Sequence, residues 1–244
     1  QSNMGNYWFE TDLDPIGVEP NRYIHGYKVP SGAIVESIKA RVRRKTRNPD
    51  YFETSAPRVR DGMKKMETLN ATPSTDRPFR ISTRWRPIEK PVFYLDFRQE
   101  IPAYDIQFYF NWRKRSGDAA HKKKLVRRRA KHVSQALTDL EATHTLYSEN
   151  RILEPAEELS PRELEALSRI LGRRYQSVRL VKHDLFDVQG YTARMTTAHQ
   201  TYSEAFAGSG EFAAIMLVRT VSRAEEQSLI LMDEPEVSLH PGAQ

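Results

Sequence analysis

Alternating apolar and polar positions predict short strands in the first 110 residues. Four apolar residues there are spaced two or four apart, with charged residues between them: Ile34, Ile38, Ala40 and Val42. This spacing is typical of a half-exposed strand. Residues 91–97 are apolar at most positions instead, which predicts a central strand covered on both faces. Helical periodicity is weak throughout, so this part of the chain is predicted to be rich in strands.

The middle of the chain, residues 111–175, has the spacing of amphipathic helices. One helix is predicted from two basic triplets and the apolar positions that follow them: Lys122, Lys123, Lys124, Arg127, Arg128, Arg129, Val133, Leu137 and Leu140. A second helix begins at a capping box, in which Ser160 is followed by Pro161 and Glu163, and Gly172 can end it. Two charged helices between strand-rich regions predict a helical insertion.

The last part, residues 176–244, returns to α/β patterning. Two strands and a helix are predicted at 177–182, 191–196 and 211–225. Residues 228–232 then form an apolar strand that ends in two carboxylates, Asp233 and Glu234. Because a buried strand is stiff, its carboxyl end holds such groups at the edge where open α/β sheets bind ligands.

Paired carboxylates at a strand end match the chemistry of nucleotide hydrolysis. The first can hold Mg²⁺, and the second can polarise a water molecule aimed at a γ-phosphate. On these residues alone, a strand that ends in solvated acids is an equally good interpretation. Upstream, residues 206–211 place Gly-Ser-Gly-Glu at the start of a helix. Backbone N–H groups at a helix N-terminus bind anions, and a flexible turn is the less favoured alternative for these glycines.

The two motifs together resemble those of an ATPase family. Residues 233–241 resemble the Walker B motif and D-loop of ABC-type ATPases, in the branch of SMC-like, RecF-like and OLD-family proteins, and residues 206–211 resemble its signature motif. The resemblance implies an α/β ATPase head, with ATP and Mg²⁺ bound between two heads. It implies a metal ligand at Asp233 and a catalytic Glu234. Nucleotide or inter-head contacts are implied at Gln99, Gly208, Ser209, Gly210, Glu211, Ser238 and His240.

The chain departs from the ABC pattern in three respects. Where the signature motif usually has Leu or Phe followed by Ser, the chain has Ala207 and Gly208, so Ser209 or the backbone alone supplies the contact. The P-loop pattern G-x-x-x-x-G-K-[ST] and the switch His are both absent from the sequence. Since the chain opens without Met and stops after the D-loop, we expect it to be the interior of a longer protein.

The resemblance also predicts how the chain is organised. We expect a strand-rich part of an incomplete head at 1–110, a basic helical insertion at 111–175, and the part with the signature motif and Walker B at 176–244. A softer resemblance, over 48–53 and 58–63, is to ATPases of bacterial anti-phage modules of the Septu and retron-associated type. It implies a defence complex in which nucleotide-driven dimerisation of heads gates a nuclease effector.

Two other functions stay open. One is an SMC-like ATPase of DNA repair or chromosome maintenance, which a long heptad-patterned arm would favour, and the sequence has no such arm. The other is a non-catalytic nucleic-acid-binding scaffold with a degenerate ATPase fold. A catalytic role for the acids near His183 is disfavoured, since Asp184 and Asp187 fit a solvated turn better than a nuclease site.

Composition bears on compartment and partners. The 244 residues carry a formal net charge of +6 and contain no Cys, which excludes disulfides and thiolate metal sites. No apolar stretch approaches the about 18 residues of a membrane span, and no leader is recognisable, so a cytoplasmic protein without membrane contact is predicted. The basic triplets at 122–129 fit nucleic-acid phosphates, a solvated helical face or an acidic protein partner.

Overall fold

A computed structural model describes residues 10–15, 21–42, 50–97, 100–111, 118–140 and 152–233. It combines helices and sheets, and the chain divides into two compact units, Gln1–Lys90 and Pro91–Gln244. Among the residues that the structure describes, no helix combines the length and the apolar character needed to cross a membrane.

The first unit is built on a three-stranded antiparallel sheet. Its strands, in spatial order, are β1 (Arg22–Lys28), β2 (Ile34–Arg41) and β3 (Phe52–Ser55). Strand β2 confirms the predicted strand with Ile38 and Ala40 buried, but Ile34 is 74% exposed, so the alternating pattern is confirmed only in part. Arg41, predicted on the exposed side, is buried as well. Its guanidinium pairs with Asp50 at 2.7 Å and lies over the ring of Phe52. A small hairpin completes the unit, formed by β4 (Arg80–Ile81) and β5 (Arg84–Trp85).

The second unit is centred on a four-stranded antiparallel sheet. The strands follow the order β10–β9–β8–β7, and their bounds are β7 (Ile152–Glu158), β8 (Ser177–His183), β9 (Gly190–Thr196) and β10 (Thr201–Ser203). The strands predicted at 177–182 and 191–196 are thus confirmed. Val178 and Leu180 point to one face and Val181 to the other, because side chains alternate along a strand.

Helices cover both faces of this sheet. One face packs against α3 (Pro161–Leu171) and α4 (Ser209–Arg223), with Leu167, Phe212 and Ile215 fully or almost fully buried. The other face packs against α2 (Ala119–Thr138) through Leu125, Val133 and Leu137. Before α2 lies a helical segment that begins as α1 (Ala103–Asp105) and continues as a π-helical turn (Ile106–Phe110).

A parallel strand pair forms the rest of the second unit. Strand β6 (Val92–Asp96) pairs with β11 (Leu229–Asp233), so the strand predicted before Asp233 is confirmed. The burial predicted for it is wrong, because none of its residues is buried and Leu229 and Met232 are 47% and 45% exposed. Leu95 and Phe97 pack against α4. Among the described strands β6 has β11 as its one neighbour, and Val92 is 40% exposed, so the double cover predicted for 91–97 is not seen along its first residues.

The predicted three-part division differs from the observed two units. Both helices predicted within 111–175 are present as α2 and α3, but β7 lies between them and pairs with β8. The segment therefore contributes a strand to the main sheet of the second unit. Its charge pattern indicated the helices, whereas β7 contains three glutamates and a proline, which are uncommon in strands, so its strand character was missed.

The capping box of α3 forms as predicted. Ser160 Oγ accepts from the Glu163 N–H, Glu163 Oε2 accepts from the Ser160 N–H at 2.7 Å, and Gly172 ends the helix at φ 61°. We expect Ser160→Ala to lower the free energy of unfolding by about 1 kcal/mol, because the Glu163 N–H and the Glu163 carboxylate both lose the Ser160 hydroxyl as a partner. Urea denaturation measures this, with Ser134→Ala on the exposed side of α2 as control. Equal stability of the two variants would show that the box contributes nothing.

Candidate nucleotide site at the strand ends and the start of helix α4

Two aspartates lie side by side at the carboxyl ends of β6 and β11. The strands are parallel and in register, so Asp96 is the partner of Asp233 across the pair. Tyr94, two residues earlier on β6, donates its hydroxyl to Asp233 Oδ2 at 2.9 Å. This bond orients the carboxylate, while Asp233 stays exposed at the edge of the strand pair.

The surroundings of this edge are acidic. Burial raises the pKa of the Glu100 carboxyl, Arg219 opposes the rise, and Asp96 adds to it. Carboxylate oxygens are the ligands that Mg²⁺ prefers, and it is usually held by one or two carboxylates together with water and substrate phosphates. Within the described ranges, no three side chains of His, Asp or Glu come close enough to form a metal site by themselves.

Four of the predicted site residues lie outside the described residues: Gln99, Glu234, Ser238 and His240. In the sequence, Gln99 comes three residues after Asp96, and Glu234 directly follows Asp233. The parallel pairing of β6 with β11 thus brings the strand ends that precede these two residues to one edge.

Sequence reasoning missed Asp96. The signal that could have found it is the similarity of two segments, since Val92–Asp96 and Leu229–Asp233 are both four mainly apolar residues followed by Asp. The pairing itself could not be read from either segment, because parallel neighbours are set by the packing of distant parts of the chain.

The predicted signature segment begins helix α4. Gly208 is the residue before the helix, with φ −71° and ψ 151°, and no side chain caps the first turn. The helix starts at Ser209, two residues earlier than predicted. Gly208 and Ser209 are exposed, and a Cβ at Gly208 would meet nothing within 4 Å. The 15-residue helix therefore presents its positive N-terminal end to open space, which is the arrangement that binds anions.

The carboxylate of Glu211 is held by tyrosines that sequence reasoning did not find. Glu211 Oε1 accepts from the hydroxyls of Tyr175 at 2.6 Å and Tyr202 at 2.5 Å, and Arg173 lies 3.7 Å away. Burial raises the pKa of both tyrosines, and the hydrogen bond to Glu211 raises it further. Since Glu211 is bound within the fold, its role is to fix the first turn of α4.

The basic triplets of α2 separate into two groups. Lys123, Lys124, Arg127 and Arg128 are exposed, as is Lys131 one turn later. The prediction that Arg129 contacts nucleic acid is wrong, because its side chain is buried and binds the Leu185 carbonyl and Asp187. Lys122 is half-buried, and its ammonium donates to the Phe108 carbonyl at 3.0 Å.

The acids near His183 form a structural turn. The Asp187 N–H donates to the Asp184 carbonyl at 3.0 Å, and the Asp187 carboxylate pairs with Arg129. His183 is fully buried, with Nδ1 accepting from the Leu185 N–H and Nε2 bonded to Thr192. These contacts favour the turn interpretation over a nuclease site.

Comparison with known proteins gives no assignment for the chain. No family model matches it, and neither does a curated protein or a solved structure.

Proposed function

We propose that the chain is part of an ABC-type ATPase head of the SMC-, RecF- and OLD-like branch, which binds ATP with Mg²⁺ and hydrolyses it. The observation that carries this proposal is the in-register parallel pairing of β6 and β11. It brings Asp233 and the strand that leads to Gln99 to one edge, in the order that a Walker B strand and a Gln-loop strand require.

The residues at this edge divide the chemistry between them. Asp233 holds Mg²⁺, since its exposed carboxylate receives a hydrogen bond from Tyr94 on one oxygen and has further acceptor capacity. A Mg²⁺ ion held there would supply positive charge to neutralise the phosphates. Glu234, one residue further, orients the attacking water and accepts its proton. Gln99, which follows Asp96 by three residues in the sequence, is proposed to contact the nucleotide.

The start of α4 supplies the second half of the site. The exposed backbone at Gly208 and Ser209, followed by the buried Gly210, binds the γ-phosphate of ATP held by a second copy of the head, and Glu211 keeps that turn in position. Ser238 and His240 contribute to the contact between heads. A glycine before the helix without a side-chain cap supports this role, because a capping side chain would occupy the anion position.

The proposed partners follow from the same resemblance. We place the protein in a bacterial anti-phage complex in the cytoplasm, where closure of two heads gates a nuclease effector. The exposed basic side of α2 is proposed to contact nucleic acid, supported by a 20-residue helix that contains seven Lys and Arg and no acidic residue. The competing function is a non-catalytic scaffold that keeps this nucleic-acid contact and lacks hydrolysis.

An arginine at the start of α4 tests the composite site. In the protein at its natural length, Ser209→Arg is expected to abolish ATP-dependent dimerisation, because the long side chain fills the space in front of the helix N-terminus. ATP binding by each chain should persist. Light scattering with and without ATP measures the dimer, and a fluorescent ATP analogue measures binding.

The matched control is Ser222→Arg, which puts the same side chain at an exposed position near the other end of α4. It should dimerise like the unmodified protein. Undiminished dimerisation of Ser209→Arg would remove the start of α4 from the site. Failure of the unmodified protein to bind ATP would overturn the ATPase proposal and favour the scaffold.

A further inference from the structure

One side of α2 forms a continuous basic surface. Its members, called the basic face below, are Lys123, Lys124, Arg127 and Lys131. At 3.6 residues per turn they occupy the side opposite the buried residues of the helix, which are Leu125, Arg129, Val133, Ala136 and Leu137. The face runs for about 12 Å at a rise of 1.5 Å per residue. Nearby, Asp118 uses its carboxylate to cap the helix by accepting from the His121 N–H at 2.9 Å.

Two exposed aromatic rings lie next to the N-terminal half of this helix. Tyr109 and Phe110 end the π-helical turn, and each is 57% exposed. The bond from Lys122 Nζ to the Phe108 carbonyl ties this turn to the N-terminal end of α2, about 100° around the helix from Lys123.

The aromatic turn is rigidly built. The rings of Tyr104 and Phe108 stack with centroids 5.5 Å apart and planes 4° from parallel. Tyr109 meets Phe108 edge-on at 5.2 Å. Tyr109 is therefore held by its neighbour while more than half of its surface faces solvent. Such a ring can accept a stacking partner with little loss of side-chain entropy.

Aromatic rings beside a row of cations match the chemistry of an unpaired polynucleotide. The phosphates of such a strand attract the cations, and its bases offer π-faces that stack on aromatic side chains. In a duplex the base faces are already stacked on one another, so exposed rings gain nothing from it. An acidic protein would satisfy the cations, but it would not require two exposed aromatic rings.

We propose that the basic face and the pair Tyr109–Phe110 form one surface that binds single-stranded nucleic acid, with phosphates on the basic face and bases on the two rings. This inference rests on the nucleic-acid contact proposed for α2 and is independent of ATP hydrolysis. Contacts are to backbone and base faces, so the binding has little sequence preference and depends strongly on salt.

Oligonucleotide binding by the natural-length protein tests the inference. Fluorescence anisotropy compares labelled single-stranded DNA and RNA of about 12 nucleotides with a duplex of the same length, over a range of salt concentrations. The unmodified protein should bind the single strands at least about tenfold more tightly than the duplex. Equal affinity would overturn the single-strand inference and leave the nucleic-acid contact standing. Absence of salt-dependent binding to either probe would overturn both.

Two sets of variants test separately what the aromatic rings and the basic residues contribute to binding. Tyr109→Leu with Phe110→Leu keeps apolar volume but removes the π-faces, and should weaken single-strand binding about tenfold without changing duplex binding. Phe79→Ala, an exposed aromatic in the first unit, is the control and should change neither. A double Leu variant that binds single strands normally would overturn the inference.

The charge variant replaces three members of the basic face with Gln: Lys123, Lys124 and Arg127. We expect weaker binding to both probes and a salt dependence for single strands that is shallower by about two, since each lost phosphate contact removes about 0.7 from the logarithmic slope. The charge-matched control replaces three exposed arginines of the α3 region, namely Arg162, Arg169 and Arg174. An equal effect of the two triple variants would show that only net charge matters and would overturn the site.

Discussion

Glu234→Gln is expected to lower the rate of ATP hydrolysis at least about 100-fold while leaving ATP binding intact. The amide keeps the size of the carboxylate but cannot accept the proton of the attacking water. Because Asp233 is unchanged, Mg²⁺ and ATP still bind. ATP-bound dimers should therefore form and persist longer than in the unmodified protein.

Single-turnover hydrolysis in the natural-length protein measures this rate, and size-exclusion chromatography with ATP measures the dimer lifetime. Glu226→Gln is the control, because Glu226 is an exposed glutamate just before β11. Its hydrolysis rate should equal that of the unmodified protein. If Glu234→Gln hydrolyses ATP equally fast, Glu234 is not the base, and the interpretation of residues 233–241 as a Walker B motif and D-loop loses its support.

Local patterns predicted the elements that carry the candidate site. The apolar run before Asp233 predicts β11, and the Ser160 capping box predicts the start of α3. Helix α4 follows Gly208 and begins two residues before its predicted start. Each of these signals lies within a few consecutive residues. Such features depend on backbone geometry and short-range hydrogen bonds, so the residues that determine them are close together in the sequence.

Tertiary contacts could not be predicted in the same way. The pairing of Asp96 with Asp233 joins residues 137 positions apart, and Tyr175 reaches Glu211 across 36 positions. Neither contact leaves a periodic trace in the sequence. Arg129 differs, because it stands four residues after Leu125 and four before Val133, on their buried row. Helical spacing would have predicted that Arg129 lies on the buried side of α2 and not among the exposed basic residues.

A buried carboxyl beneath the start of α4 makes stability depend on pH. Glu204 is 4% exposed and lies four residues before Gly208. Its Oε2 accepts from the Ala193 N–H at 2.9 Å, and Thr192 also donates to the carboxylate. Burial raises the pKa of Glu204 to about 7, and Asp105 adds to the rise. In the unfolded chain the pKa is near the ordinary value of about 4.3.

The sign of the dependence follows from this difference. A raised carboxyl pKa means that the folded state binds the proton more tightly, so stability from Glu204 is greatest below the unfolded pKa and falls as pH rises toward 7. His183 acts in the opposite direction: burial lowers its pKa to about 4, so its contribution is lost as pH falls from about 6.5. Both groups bond to Thr192, and together they favour an optimum between the two unfolded pKa values.

Glu204→Gln removes one side of this balance. When the pH is raised from about 5 to about 8, the unmodified protein loses the stability contributed by Glu204, and the variant does not. The unfolding free energy of the variant minus that of the unmodified protein is therefore expected to rise by about 2 to 3 kcal/mol over this pH range. The Gln carbonyl oxygen can still accept from the Ala193 N–H. Any constant cost of the amide group cancels, because the measured quantity is the change between two pH values.

Urea denaturation of both proteins at the two pH values gives this difference, and Glu225→Gln, at an exposed position, is expected to follow the unmodified protein. Parallel pH profiles for Glu204→Gln and the unmodified protein would mean that Glu204 is ionised in the folded state at both pH values. In that case the hydrogen bonds from Ala193 and Thr192 would outweigh burial. The expected divergence would instead mean that the carboxyl beneath the start of α4 carries a proton below about pH 7.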